Sequence, residues 1–396
     1  MKRKNHLFEA LVSDGNLARA IDEVNKTHHW RKHHRPNPVT AWVELTKPER
    51  VKELREIVES GFIPKKPRVV ERYDPSARKM RIISEPAQWP DQYVHHALIQ
   101  VLQPVFMRGM DNYCCGSIRG RGTHYGKRAI ERWMRKDPKG TRYEFQGDIR
   151  HFYDNLKPDV VMGRMRRLVK DRKVLDLIER VIKDGISIGA YTSQWFANVT
   201  LQSLDMLIRQ SGLASHYIRY MDNLTVFGPN KRKLHKLKRL VERWLAGNSL
   251  MLKGDWQVFP VRWEKPTGHG CLKKGRTPDA VGYRYGRELK GGVYTIPRKH
   301  NLIRMKRKVA NYRKQVKDGK PVHPTTAAGL LSRLGQIVHC NNNNIYRMLY
   351  RDGKIVRLLK TIIRKNQRKE VLTWSMYLGQ MGTPKPSEQK AVPIPA

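Results

Sequence analysis

Asp148 ends a strand-like run in FQGDIRHFYDNL, and Asp222 sits in the turn of YIRYMDNLTVFG, residues 217–228. In the second stretch, two runs with apolar side chains at alternate positions flank a short turn, the pattern of a β-hairpin. A lone aspartate at a strand end is ordinarily a cap or turn residue. Two of them, one at a strand end and one at a hairpin tip, can converge on one edge of a sheet. The resulting carboxylate pair suits Mg²⁺, which takes hard oxygen ligands and keeps positions open for phosphate oxygens. With a triphosphate supplying further ligands, two metal ions can activate an attacking 3′-hydroxyl and stabilise the leaving pyrophosphate. A metal would usually attract another carboxylate beside Asp222, yet position 223 is Asn, which keeps the size and one carbonyl acceptor but removes a charge.

These residues need elements to hold them. Residues 1–60 read as helices, because LFEALVSDGNLARAIDEV and KPERVKELREIVESGF repeat apolar residues every three or four positions. PRVVERYDPSARKMRIISEP reads as a basic hairpin around a D-P-S turn, and it carries Lys79 and Arg81. A helical segment, DQYVHHALIQVLQPVF, leads into the Gly/Arg-rich loop GSIRGRGTHYG. Then come a helix at 126–137, the strand YEFQGDI and a helix at 158–170. In IGAYTSQWFANVTLQSLDMLI, Gly189 and Thr192–Ser193 mark a helix start before an apolar periodic run. KRKLHKLKRLVERWLAG places Leu234, Leu237, Leu240, Val241 and Trp244 on one stripe, with a basic face opposite that is either solvated or set against a nucleic-acid backbone. VGYRYGRELKGGVYTIP returns to strand patterning, residues 299–375 are helical and basic, and the Pro-rich end reads as a disordered tail.

Lys and Arg number 79 against 35 acidic residues, a formal net charge of +44. The excess is spread along the chain, so it predicts a long positive groove for a polyanion rather than a basic arm. Nucleic acid fits best, and an anionic membrane surface is the other partner such a charge admits. No apolar run reaches the roughly 20 residues that a membrane span requires. The start, MKRKNHLFEALVSDGN, turns charged too quickly for a signal peptide. None of Cys114, Cys115, Cys271 and Cys340 forms a CxxC pair, so reduced thiols in a cytoplasm are expected.

In order and wording these segments resemble a bacterial reverse transcriptase from about residue 70 to 350. The Asp148 strand resembles the family's first catalytic motif, and Y-M-D-N at 220–223 its Y-x-D-D hairpin. LKGDWQVFPV and AVGYRYGR resemble the next two motifs, and LSRLGQIVHCNNNNIYRML the thumb segment. I-G-A-Y-T-S-Q at 188–194 is most similar to the reverse transcriptases of diversity-generating retroelements. QYVHHALIQVLQPVF and RGRGTHYGKRAI are also like that group. The resemblance implies an α+β right-hand polymerase with fingers, a palm built on an antiparallel sheet, and a helical thumb. Its expected divisions are a helical extension at 1–60, fingers at 61–140 with 158–200 partly inserted, palm at 141–290, thumb at 291–380 and a tail at 381–396. It also implies a cytoplasmic, bacterial or phage-encoded enzyme. That enzyme would copy a template RNA into error-prone cDNA from a primer, with a small basic oligomeric accessory protein as a possible partner.

Residue by residue, the resemblance makes Asp148, Asp222 and the Ile149 carbonyl the ligands of Mg²⁺ or Mn²⁺, with Asn223 beside them. Tyr153, five positions after Asp148, matches an aromatic that blocks a ribose 2′-hydroxyl; a packed core tyrosine is the competing reading. Lys79 and Arg81 match residues that clamp the incoming triphosphate, and Arg suits the task through its planar fork. Ile188, Gly189 and Gln194 would shape the nucleotide pocket, with Gly189 letting backbone approach the nascent base pair. Arg119, Arg121 and Lys253 are candidates for nucleic-acid contact, although RGRGTH could equally be a plain basic loop. Asp154 is expected to cap a helix and Asp205 to lie within one, and HCNNNN is expected to be a helix cap and turn rather than a metal cluster. Two other readings compete: an antiphage enzyme that makes DNA, and a catalytically weak or dead nucleic-acid binder in which Asn223 marks decay.

Overall fold

The computed structural model describes residues 3–30, 35–74, 79–267, 270–287, 292–341, 343–350 and 354–381. The tail expected at 381–396 lies outside the described residues beyond Met381. Four helices open the chain: α1 (Leu7–Val12), α2 (Asp14–His28), α3 (Pro38–Leu45) and α4 (Lys47–Glu59). Ser13 caps α2 by accepting from the Asn16 amide, and Asn37 caps α3 with Pro38 in its first turn. Leu17, Ala20, Ile21 and Val24 of α2 and Val51, Leu54 and Val58 of α4 are buried. They join the same apolar core as Phe145 and Val226 farther along the chain, so the 1–60 segment is no separate body.

Strands β1 (Arg68–Asp74) and β2 (Lys79–Glu85) pair antiparallel from Arg68↔Glu85 to Asp74↔Lys79. Glu85 on β2 takes both Arg68 and Arg72 of β1, which pins the hairpin's register. Helix α5 (Tyr93–Met107) lies against α2, and Asn16 of α2 donates to the Ala97 carbonyl on it. After it come the short strand β3 (Cys114–Cys115) and α6 (Thr123–Lys136). Strand β4 (Tyr143–Asp148) is followed by α7 (Phe152–Asn155), α8 (Pro158–Leu168), α9 (Arg172–Ile182), α10 (Tyr191–Thr200) and α11 (Gln202–Gln210). The hairpin β5 (His216–Tyr220) and β6 (Asn223–Gly228) precedes α12 (Lys231–Gly247) and β7 (Gln257–Pro260).

The central sheet runs β3-β5-β6-β4-β7, antiparallel except for the β3–β5 pair at its edge. Phe145, Leu224 and Val226 meet Leu234, Leu237, Val241 and Leu245 of α12 in the core. Each such side chain contributes about 1.5–3 kcal/mol on burial. Of the expected stripe, Leu240 and Trp244 pack only partly buried at its margin.

A further hairpin, β8 (Trp263–Thr267) and β9 (Gly270–Lys274), leads to a three-stranded sheet of β10 (Asp279–Ala280), β11 (Tyr283–Arg287) and β12 (Val293–Pro297). Helix α6 packs on this sheet through Ala129, Ile130 and Trp133. Four helices close the chain with their own core: α13 (Lys299–Lys317), α14 (Pro324–Val338), α15 (Asn343–Tyr350) and α16 (Lys354–Met381).

Several expectations shift. Strand β3, from the 61–140 segment, pairs parallel with β5 of the central sheet. The helix expected at 126–137 begins at Thr123, and the one expected at 158–170 ends at Leu168. The run after Gly189 is two helices broken at Leu201, and the first begins at Tyr191 without a side-chain cap. Asp154 is no cap: His151, at φ 45°, occupies that position, and Asp154 pairs with it from within the first turn. Asp205 does lie in a helix, but it is buried and ion-paired. The HCNNNN segment ends α14 at His339, and Asn341 bonds Thr295 of β12 through both backbone and side chain. Among the described residues no cluster of three metal-ligating side chains occurs. Cys114, Cys115 and Cys340 are free, and no described helix is long and apolar enough to cross a membrane.

Glu144 on β4 is fully buried with neither carboxyl oxygen hydrogen-bonded. Burial, and then the charge of Asp279, push its carboxyl well above the ordinary range. An acid raised on folding contributes stability that is complete below its unfolded value and lost as pH rises through the folded one. Glu144→Met should therefore raise the urea midpoint by the equivalent of about 1–3 kcal/mol, with a gain that grows as pH rises. A loss of stability in that variant would show that the carboxyl has a partner the fold requires.

Candidate active site

Three chain segments meet at the end of β4. Asp148 lies directly opposite Asn223, and the Ile149 amide donates to the Asp222 carbonyl at 3.3 Å. On the other side the Lys253 amide donates to the Asp148 carbonyl at 2.8 Å. Backbone bonds thus fix both aspartates at one end of the sheet, close enough for their carboxyl groups to influence each other. Burial, and then the Asp222 charge, push Asp148 up to about 6, while Lys253 pulls the other way. Asp222 is also raised by burial, opposed by hydrogen bonds from its own amide, Asp148 and Asn223 and by the Arg81 charge. Two carboxyls held this close resist ionising together, and a divalent cation would relieve that repulsion. The donor set fits Mg²⁺ or Mn²⁺: two hard carboxylates, neither of them fully buried.

Asn223 is exposed and donates Nδ2 to Asp222 Oδ1 at 3.2 Å, so its amide orients the carboxylate next to it. Tyr153 is half-buried close by; burial and then the Asp222 charge raise its phenol, and Arg81 counteracts this. Arg81 is thus near both residues, and Asp74 across the hairpin holds its Nε at 2.7 Å. Lys79 shares that strand face two residues away, exposed at the start of β2.

The Ile188–Gln194 segment docks on the same hairpin, because the Ser84 amide donates to the Ile188 carbonyl at 2.8 Å. Gly189 has φ 126°, and a Cβ there would lie 2.4 Å from the Ser84 oxygen. The close approach that requires glycine is therefore to strand β2. Gln194 is exposed in the first turn of α10. Lys253 is exposed and paired with Asp255, beside Asp148. Arg119 is exposed near Glu23 of α2, whereas Arg121 spends part of its guanidinium on the Asp111 carbonyl at 2.9 Å.

The sequence reading missed what lies beneath. Arg219 is fully buried and pairs with Asp205, which also accepts from the Tyr217 hydroxyl at 2.7 Å. The available signal was that Arg219 alternates with Tyr217 on the inward face of β5.

Residues 63–255 match the family described as reverse transcriptase (RNA-dependent DNA polymerase). Nuclear intron maturase 1, mitochondrial, of Arabidopsis thaliana is 36% identical over 104 residues, 26% of this chain and 14% of that protein. The group II intron-encoded protein LtrA of Lactococcus lactis is 23% identical over 210 residues, 49% of this chain and 34% of that protein. Among solved structures, telomerase from Candida albicans in complex with a fragment of telomeric RNA aligns at a TM-score of 0.42 and 11% identity, over 81% of this chain and 64% of that one. The matched segments span well under half of the curated relatives' lengths. Residues 63–255 thus resemble a reverse transcriptase domain, set within an α+β fold of helices and a mainly antiparallel sheet.

Proposed function

We propose that the protein is an RNA-directed DNA polymerase that extends a primer along a template RNA. The observation that carries this reading is the convergence of Asp148 and Asp222 at one end of the central sheet, with Arg81 and Tyr153 near Asp222. Two divalent ions bound there would activate the 3′-hydroxyl and neutralise charge on the leaving pyrophosphate. Asp148, Asp222 and the Ile149 carbonyl would hold these ions, and Asn223 steadies the Asp222 carboxylate through its side-chain amide. Arg81, steadied by Asp74, presents its fork to the triphosphate, and Lys79 adds charge along the same strand face. Tyr153 fills the space a ribose 2′-hydroxyl would occupy, and Ile188, Gly189 and Gln194 border the base pair. Arg119, Arg121 and Lys253 contribute to the +44 charge that holds template and primer, mainly through phosphates.

In this reading residues 61–140, with 158–200, serve as fingers, 141–290 as palm and 291–380 as thumb, with 1–60 as an extension. The wording Ile188-Gly189 to Gln194 favours a retroelement enzyme of the bacterial cytoplasm that makes error-prone cDNA for sequence diversification, with a small basic oligomeric protein as partner. The intron-encoded relatives favour a second reading, in which the template is an intron RNA. Sequencing the cDNA separates them, since clustered errors opposite template adenines belong to the first.

The deciding experiment is primer extension on an RNA template with Mg²⁺ or Mn²⁺ and either dNTPs or rNTPs. Extension with dNTPs is expected, and its absence under both metals sinks the proposal. Tyr153→Ala should admit rNTPs by about 10–100-fold relative to wild type, the scale of a lost steric contact in a specificity pocket. Unchanged discrimination would return Tyr153 to the core. Asn223→Asp should support extension at or above the wild-type rate and at lower metal concentration, because it adds charge beside the pair. Complete loss in that variant would show that the amide donor to Asp222 is indispensable.

A further inference from the structure

We infer that Arg219 is a positioning residue that locks the metal-binding turn and ties it to helix α10. The inference takes its kinetic consequence from the polymerase reading above. Tyr220 pairs with Asn223, leaving Met221 and Asp222 as the two turn residues, and Met221 sits at φ 53°. A residue with a side chain enters that left-handed region only when its surroundings impose it. Two bonds do so. The Met221 amide donates to the Cys115 carbonyl on β3 at 3.2 Å, and the Met221 carbonyl accepts from Arg219 Nη1 at 2.9 Å.

The guanidinium that reaches this carbonyl has no N–H to spare. Its Nε and Nη2 each donate to an oxygen of Asp205 at 2.7 Å. Nη1 also donates to Asn198 Oδ1 at 2.9 Å, and Nη2 to the Asn198 carbonyl at 3.3 Å. All five donors of the planar group are thereby used. Asn198 extends the lock by donating to the Gly116 carbonyl at 3.1 Å. It lies on α10, the helix that begins at the Ile188–Gln194 segment, and Asp205 lies on α11. One buried cation therefore joins the nucleotide-pocket helix, the next helix and the peptide that precedes Asp222. A buried ion pair alone is weak evidence of any contribution to stability. The bond into a left-handed turn peptide marks this one as setting geometry. Lysine, with three donors about a single point, cannot cover Asp205, Asn198 and Met221 together.

The test compares wild type, Arg219→Lys and Arg219→Lys/Met221→Gly in primer extension, thermal unfolding and Mn²⁺ titration by electron paramagnetic resonance. Arg219→Lys keeps the charge pair and should unfold cooperatively. Its kcat should fall about 100-fold with little change in KM for dNTP, and its Mn²⁺ affinity about tenfold. Adding Met221→Gly should restore kcat about tenfold, because glycine takes positive φ without help. Unchanged kcat and Mn²⁺ affinity in Arg219→Lys, or a loss that glycine does not relieve, overturns the inference. Should Arg219→Lys not fold, the volume-matched pair Arg219→Met/Asp205→Leu takes its place with the same expected signature. If wild type extends no primer, the polymerase reading fails and the Mn²⁺ titration alone decides the lock.

Discussion

Asp222→Ala should abolish templated extension, lowering kcat on the order of 10³-fold or more, as loss of a central catalytic group does. The substitution removes one of the two carboxylates and with it the charge that helps to raise Asp148. Asp148 would still be raised by its burial, the larger cause of its shift, and a single such acid is a poor site for a divalent cation. Binding of template and primer should survive, because that depends on the overall +44 charge and retains its steep salt dependence. Loss of extension with intact binding thus distinguishes a lost site from a lost fold. An unaffected rate would remove Asp222 from the mechanism altogether. The wild-type pair also sets a pH dependence. With Asp148 at about 6, protons compete with metal as pH falls toward and below that value, so the Mg²⁺ needed for half-maximal rate should rise. A flat metal requirement between pH 5 and 8 would contradict the raised Asp148 carboxyl.

How much of this was legible beforehand depends on the range of the signal. Alternation around YMDN gives both strands of the hairpin, and the D-P-S turn gives the β1–β2 pairing, because each pattern is local. The convergence of Asp148 and Asp222 could be named from motif order, but the sequence alone carries neither the upward push on Asp148 nor the Asn223 bond to Asp222. Those depend on side-chain distances that no periodicity records. The Arg219–Asp205 pair was missed for a related reason: its members lie on different elements, and a buried charge looks like a surface charge until its partner is placed. Helix α9 was overlooked although Asp171 caps it and Val174, Leu177, Ile178 and Ile182 line one face. Asp171 also accepts from the Leu7 and Phe8 amides, so it caps one helix and anchors another that begins 164 positions earlier. Tertiary use of a local signal is invisible in the segment that carries it.

Gly189→Ala should also have a large effect, and it acts at a distance from Asp148 and Asp222. The backbone at Gly189 has φ 126°, and its new Cβ would meet the Ser84 oxygen at 2.4 Å and Ile83 Cγ2 at 2.8 Å. Strained backbone of this kind costs about 1–3 kcal/mol, and the clash must be relieved by separating the Ile188–Gln194 segment from strand β2. That separation breaks the bond between the Ser84 amide and the Ile188 carbonyl. Strand β2 carries Arg81 three residues before Ser84, so the shift moves the cation whose charge reaches Asp222 and Tyr153. KM for dNTP should therefore rise about 10–100-fold, the scale at which small misplacements are felt. Gln194→Ala, at an exposed position on the same segment, should change it far less. If Gly189→Ala retains both wild-type KM and wild-type melting, the segment is not held against β2 in solution, and Arg81 owes its place to Asp74 alone.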